Sequence, residues 1–385
     1  MTTQATEASP PGMAVPFPVA SRVQRRYSNV QSVSNLTGPG SFQVHQLPAT
    51  GWVRKISLLF TQSVTSASAG AIVAGDGPWN LINGITVTDA TGQPIFQPIS
   101  GYNLYLLNKY CATGSVNTNL SRPYANPMMS PEYAFASSAT VGTATFRLDL
   151  TFEQDARTGY GCVPNLDSNA SLQLKIDFAQ STAAFSGTTT SAATLGCRVE
   201  QEYWAPVGNS IGNTPVDSSP RGAGDYLETR YETQTLSPSA ENLVQLNNRG
   251  GLIKSILLIS RAAGVRTAVT ATTPIGVSLD NQPIYEGVPL ESHYDTVRRA
   301  HGYHGADATT SYAPLTPGVS SGLDRGVIPI LFDAMSGGRD SWLNTRGGSL
   351  LQVKLTPGAS ASTLEVVTQL AQVKEGAAFY DAGSI

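Results

Sequence analysis

The chain reads as a succession of short runs in which hydrophobic and polar positions alternate. Ile56, Leu58 and Phe60 fall on one side of a run whose other side carries Lys55 and Ser57, the period of two that a half-buried strand requires. From Tyr226 to Thr235, Glu228, Arg230, Glu232 and Gln234 alternate with Thr229, Tyr231, Thr233 and Thr235, which predicts a strand with one wet face. Gly, Pro, Asn and Asp punctuate these runs, as at Ala90-Thr91-Gly92 and Asp280-Asn281. Helical periodicity is brief. Ser100 is placed to cap a short helix carrying Leu104, Leu106 and Leu107, and Leu290, Tyr294 and Val297 predict another. Val19, Val23, Tyr27 and Val30 recur at i, i+4, i+8 and i+11, with Arg22, Arg25 and Arg26 between them, which predicts a short basic amphipathic helix.

These elements are written twice, in one order. Gly51 to Leu59 matches Gly251 to Ile259, with Ile56 on Ile256 and Leu58 on Leu258. Gln93 and Tyr105 match Gln282 and Tyr294; Phe146 to Phe152 matches Gly326 to Phe332; Leu172 to Ile176 matches Leu351 to Leu355; Val199 and Gln201 match Val367 and Gln369. The separation between partners falls from 200 to 168 residues and never rises, as expected of two copies of one fold whose first member has the longer connections. The division that follows is an N-terminal arm over 1–40, a first sandwich over 41–205, a Pro- and Gly-containing linker over 206–225 and a second sandwich over 226–385. Short strands with few helices suggest eight strands in two sheets per copy. The expected fold class is therefore all-β: two tandem eight-stranded jelly rolls with short helices and an N-terminal arm. Ile256 to Ile259 lacks clean alternation and is expected to be covered on both faces, where the copies or adjacent subunits meet.

Composition narrows the function. At 385 residues the chain exceeds the usual reach of one core. Charged residues make up 13%, against about 25% in ordinary soluble domains, and Thr, Asn and Tyr are cheaper to bury between subunits than Lys or Glu. A net charge of -3 argues against a main surface for nucleic acid, and no sequence-specific nucleic acid binding is expected. The N-terminal arm is locally basic, with three arginines against Glu7. Cys111, Cys162 and Cys197 are odd in number and widely spaced, so they read as buried or idle thiols. No signal-like apolar region or membrane-length run is present, and synthesis in a cytoplasm is expected.

The remaining motifs offer few groups for catalysis or metal binding. His293, His301 and His304, near Glu291, Asp295 and Asp307, are the one concentrated set of potential metal ligands, but Gly305 follows His301-x-x-His304 and no third-ligand motif does. They read as surface or interface histidines. A two-domain cupin would need an H-x-H pair, which the chain lacks, and no G-x-S-x-G elbow or P-loop occurs. The protein is expected not to be an enzyme and to need no cofactor. The alternative is a carbohydrate-binding or hydrolytic double β-sandwich, which the 15 tyrosines would suit.

Several local motifs carry a resemblance: Gly77-Pro78-Trp79-Asn80-Leu81-Ile82 running into a strand, the Gly92-Gln93 turn, Ser100-Gly101-Tyr102-Asn103-Leu104 opening a helix, Tyr203-Trp204-Ala205-Pro206-Val207 closing the first copy, and Asn248-Arg249-Gly250-Gly251 leading into the repeated strand. With the duplicated plan, the chain resembles the double jelly-roll major capsid proteins of tailless icosahedral viruses, especially tectivirus-like bacteriophages with an internal membrane. The resemblance implies a pseudo-hexagonal homotrimer in a virion capsid, contacting neighbouring capsomers, penton and minor capsid proteins. It also implies an N-terminal arm facing the internal membrane, and Arg22, Arg25 and Arg26, with Val23 and Tyr27, are the residues expected on that inner surface. Family members often carry tower loops; here Ala112 to Gly142 and Asp307 to Gly322 leave little room for them.

Overall fold

The computed structural model describes residues 14–28, 31–34, 36–66, 72–73, 76–89, 91–111, 133–137, 141–154, 158–186, 190–211, 214–220, 222–267, 269, 274–301, 307, 322–332, 341–361 and 363–371. After a one-turn helix α1 (Phe17–Ala20), the first copy runs β1 (Val23–Tyr27), β2 (Gln31–Ser34), β3 (Gly40–Ser41), β4 (His45–Gln46), β5 (Gly51–Ser66), β6 (Ile82–Thr88), β7 (Pro94–Ile99), α2 (Gly101–Cys111), β8 (Val141–Thr151), β9 (Gln173–Phe178) and β10 (Thr190–Trp204). The second runs β11 (Leu227–Thr235), β12 (Asn242–Leu246), β13 (Leu252–Ala262), β14 (Pro274–Leu279), β15 (Gln282–Pro289), α3 (Leu290–His301), β16 (Val327–Leu331), β17 (Leu351–Leu355) and β18 (Thr363–Ala371).

Both copies follow one plan. One sheet orders β1, β10, β5 and β8, with β2 also on β10, and the other orders β3 and β4, then β9, β6 and β7. The second copy gives β11, β18, β13 and β16 against β12, β17, β14 and β15. Taking β1 with β2 and β3 with β4 as single interrupted strands, strands one, eight, three and six face strands two, seven, four and five. That is the antiparallel jelly roll, so the chain is a double jelly roll.

Pairing registers in the two copies correspond at most of the matched strands. Leu148 lies opposite Leu58, and Ile328 lies opposite Leu258. Gln173 pairs Thr88, and Gln352 pairs Ser278. The last strand needs a one-residue correction. Leu58 faces Val199, whereas Leu258 faces Val366, not Val367. Val366 and Val367 are both buried, so the apolar pattern alone did not choose between them. The shared glycine has a shared cause: a Cβ on Gly51 would overlap the Trp204 carbonyl, and one on Gly251 the Ala371 carbonyl. Each glycine lets the third strand begin against the end of the eighth.

The largest correction concerns the N-terminal arm. Residues 23–27 form no helix; β1 pairs along β10 from Val23 opposite Trp204 to Tyr27 opposite Glu200. The amphipathic spacing was compatible with a helix, but Val and Tyr favour strands, and β10 would otherwise expose an unpaired edge. Helix remains only at Phe17–Ala20. Its anchor is Phe17, edge-on to Trp52 and Trp204 at 6.4 and 6.3 Å, while Val19 is exposed. The first jelly roll thus takes its opening strand from inside the segment 1–40. The linker is also tied down: Val15 donates to the Pro215 carbonyl and accepts from the Asp217 amide.

Candidate assembly surfaces

The two jelly rolls meet on α2. Ser100 Oγ accepts from the Asn103 amide at its start, as the capping reading expected. Gly101 admits the Trp79 carbonyl where a Cβ would overlap it, and the Trp79 ring stacks on Tyr105 at 3.7 Å between centroids. The Gly-Pro-Trp and Ser-Gly-Tyr motifs, about twenty residues apart, are therefore one packing unit. Every residue of α2 is buried, because β6 and β8 cover one side and β13 the other. Continuous burial of Leu252 to Arg261 follows, and the expectation that Ile256–Ile259 is covered on both faces holds.

Charges cross this seam where water is excluded. Lys109 Nζ donates to Asp324 Oδ2 at 2.7 Å and to the Gly322 carbonyl at 2.8 Å. Tyr110 OH donates to the same carboxylate oxygen at 2.9 Å and accepts from the Asp324 amide. Lys254 Nζ donates to the Cys111 carbonyl at 3.1 Å, a cation at the negative end of α2. Arg261 reaches Asp76 at 2.5 Å and Glu365 at 2.8 Å. Burial alone would lower the Arg261 guanidinium, but these carboxylates hold it above its ordinary range. Burial, helped by Asp324 and Asp76, pushes the Tyr102 phenol well up.

The outer face of the first copy's β1–β10–β5–β8 sheet is polar. Arg54 bridges Glu153 and Glu202, under a Trp204 ring whose Nε1 donates to Glu153 at 2.7 Å. Arg147 and Lys55 both pair with Asp149. Arg25 joins this group, pairing with Glu202 at 3.0 Å and Glu200 at 3.6 Å. Tyr27 lies exposed under the Arg198 guanidinium, Val23 and Arg26 are exposed, and the Arg22 carbonyl accepts from the Ala205 amide. Thus the structure keeps the five predicted inner-surface residues adjacent but puts Val23, Arg25, Arg26 and Tyr27 in an edge strand with Arg22 just before it, and Arg25 is held by carboxylates nearly 180 positions away.

The metal-like cluster resolves into ion pairs. Glu291 and Asp307 bind Arg325, Asp307 also binds Arg298, and Asp295 binds Arg299. His293 is buried with Nε2 at 2.8 Å from the Pro329 carbonyl, and burial lowers its pKa. His301 ends α3, and His304 lies outside the described residues. Among the described residues no group of three or more potential ligands could hold a metal ion. All three cysteines are buried and outside any disulfide; burial pushes the Cys197 thiol up to about 12. The loops 112–132 and 308–321 lie outside the described residues.

No family model and no curated protein matches the sequence. Solved structures do match. The major capsid protein (MCP) of STIV, Sulfolobus Turreted Icosahedral Virus, shares 12% identity with a TM-score of 0.58, covering 89% of this chain and 97% of its own. Protein P2, the major capsid protein of bacteriophage PM2, shares 13% identity at a TM-score of 0.50, covering 92% and 100%. The PBCV-1 virus capsid shares 11% identity at 0.53, covering 90% and 94%. At these identities the likeness establishes the fold across nearly the whole chain.

Proposed function

We propose that the chain is a viral major capsid protein that assembles as pseudo-hexagonal homotrimers into an icosahedral shell over an internal membrane. The carrying observation is the whole-chain match, which spans 89–92% of this chain and 94–100% of the capsid proteins compared. The duplication supports it physically, because two similar lobes per chain give a trimer six similar lobes. Function on this reading comes from self-association rather than turnover. The carbohydrate-binding or hydrolytic alternative finds no support in the similar structures named above.

Neighbouring capsomers, penton and minor capsid proteins complete the proposed shell, formed in the host cytoplasm. Contact with the membrane is assigned to the chain preceding β1 with Arg22 and Arg26, whose positions alternate with Val23, Arg25 and Tyr27. Purified virions provide the test. This chain should be their most abundant shell protein, and mild detergent should release lipid together with capsomers three chains in size. Particles in which it is a minor component would overturn the reading.

A further inference from the structure

The edge of the first jelly roll is broken where that of the second is whole. Strand β1 ends at Tyr27 and β2 starts at Gln31; β3 ends at Ser41 and β4 starts at His45. In the second copy β11 pairs along β18 over Leu227–Thr235, and β12 along β17 over Asn242–Leu246, without a gap. At the broken edge a small cavity lies between the two sheets, with Leu174 and Ile176 of β9 on one side and Cys197 and Val199 of β10 on the other. His45 borders it, and its Nε2 is buried without a hydrogen-bond partner.

The duplicate shows what a jelly roll requires at this place. His45 lies opposite Leu174 and Val244 opposite Val353, on matched strands, so Val244 stands where the first copy has His45. Cys197 lies opposite Phe60 and Leu364 opposite Ser260, so Leu364 stands where the first copy has Cys197. Val244 and Leu364 are both buried. Two hydrocarbon side chains thus fill the second roll where the first has an imidazole and a thiol, and the fold itself needs no titratable group there.

An imidazolium in this cavity would lack a counter-charge. Gln31 and Gln43 border it as neutral amides, and Cys197 is its other titratable group, with a thiol raised by burial. Strands β2, β3 and β4 carry no charged residue besides His45, and β6, beyond β9, carries none. On β9, Lys175 and Asp177 pair with each other at 3.2 Å. On β10, Arg198 and Glu200 alternate with the cavity positions and lie on the outer face, over Tyr27 and beside Arg25. Burial alone holds His45 below its ordinary value of 6.5, so the closed edge binds fewer protons than one whose His45 is in water, and acid favours the open form. Little holds the edge shut: β3 and β4 each pair with β9 over two residues, helped by the Phe42 amide on the Ile176 carbonyl at 3.0 Å.

We propose that mild acid opens the first jelly roll at this edge: protonated His45 leaves the cavity for water and carries the stretch 42–46 off β9, while the second roll stays closed. This is a local opening, and it does not depend on how the chains assemble.

Hydrogen exchange of the full chain, followed by mass spectrometry, tests it, with protection in 42–47 taken relative to unstructured exchange at each pH. One pH unit below 6.5, an ordinary imidazole is protonated about ten to one. Protection in 42–47 should therefore fall by up to about tenfold from its neutral value, and protection in 242–246 should not. His45→Val, which installs the residue of the second copy, should abolish the fall; should that variant not fold, His45→Gln, also uncharged, takes its place with the same expectation. His293 titrates in the same range but belongs to α3 of the second roll, so a fall that persists without His45 overturns the proposal. Unchanged protection in 42–47 of the parent, or an equal loss in 242–246, overturns it as well.

Discussion

Asp324 is the most demanding single position in the seam. Its carboxylate is 0% exposed and faces Lys109, which is 5% exposed, and it also accepts from Tyr110. Asp324→Ala would remove the carboxylate that faces this buried ammonium, and breaking such a pair costs about 3–5 kcal/mol. The lost Tyr110 hydrogen bond belongs to the same truncation and is not added. Replacing both partners, Lys109→Met with Asp324→Leu, removes the charge and its desolvation together, so stability should return to within about 1 kcal/mol of the parent or exceed it. Urea unfolding followed by tryptophan fluorescence and circular dichroism measures both, and coincident curves license the comparison. A single variant within about 1 kcal/mol of the parent would refute the buried pair. A double variant as damaged as the single one would refute the desolvation reasoning.

Other consequences follow from the same geometry. Gly251→Ala drives a Cβ toward the Ala371 carbonyl and should cost about 1–3 kcal/mol in the same urea assay. Removal of the chain through residue 35 takes away β1 and β2 and should lower the melting temperature of the double jelly roll sharply. Burial holds His293 below its ordinary value of 6.5, so the folded state binds fewer protons than the unfolded one as pH falls below 6.5. Stability should therefore decline from pH 6.5 downward, and His293→Gln should flatten that part of a pH–melting profile. Loss at Asp307, held below the ordinary carboxylate value of 3.8, comes only in stronger acid.

The duplication was legible because paired strands tolerate few insertions, so Leu58 and Leu258 kept their places against Leu148 and Ile328. Strand β1 was not, because five exposed residues carry no burial pattern and Val19, Val23 and Tyr27 also fit a helical period. What makes β1 a strand is β10, nearly 180 positions later. The same distance hid the seam. Lys109 with Asp324 and Asp76 with Arg261 are ordinary charges until the fold brings them together without water. Helix α2 offered one clue: Leu104, Leu106 and Leu107 stand beside Tyr102, Tyr105 and Tyr110, leaving it apolar nearly all round, as a helix between two lobes must be.

The central claim, that two jelly rolls in one chain serve to make a capsomer, is tested most directly by electron microscopy of the purified 40.5 kDa chain. Class averages should show six lobes around a threefold axis, with three chains per particle. Two-lobed monomers alone, or particles with a twofold axis, would contradict it.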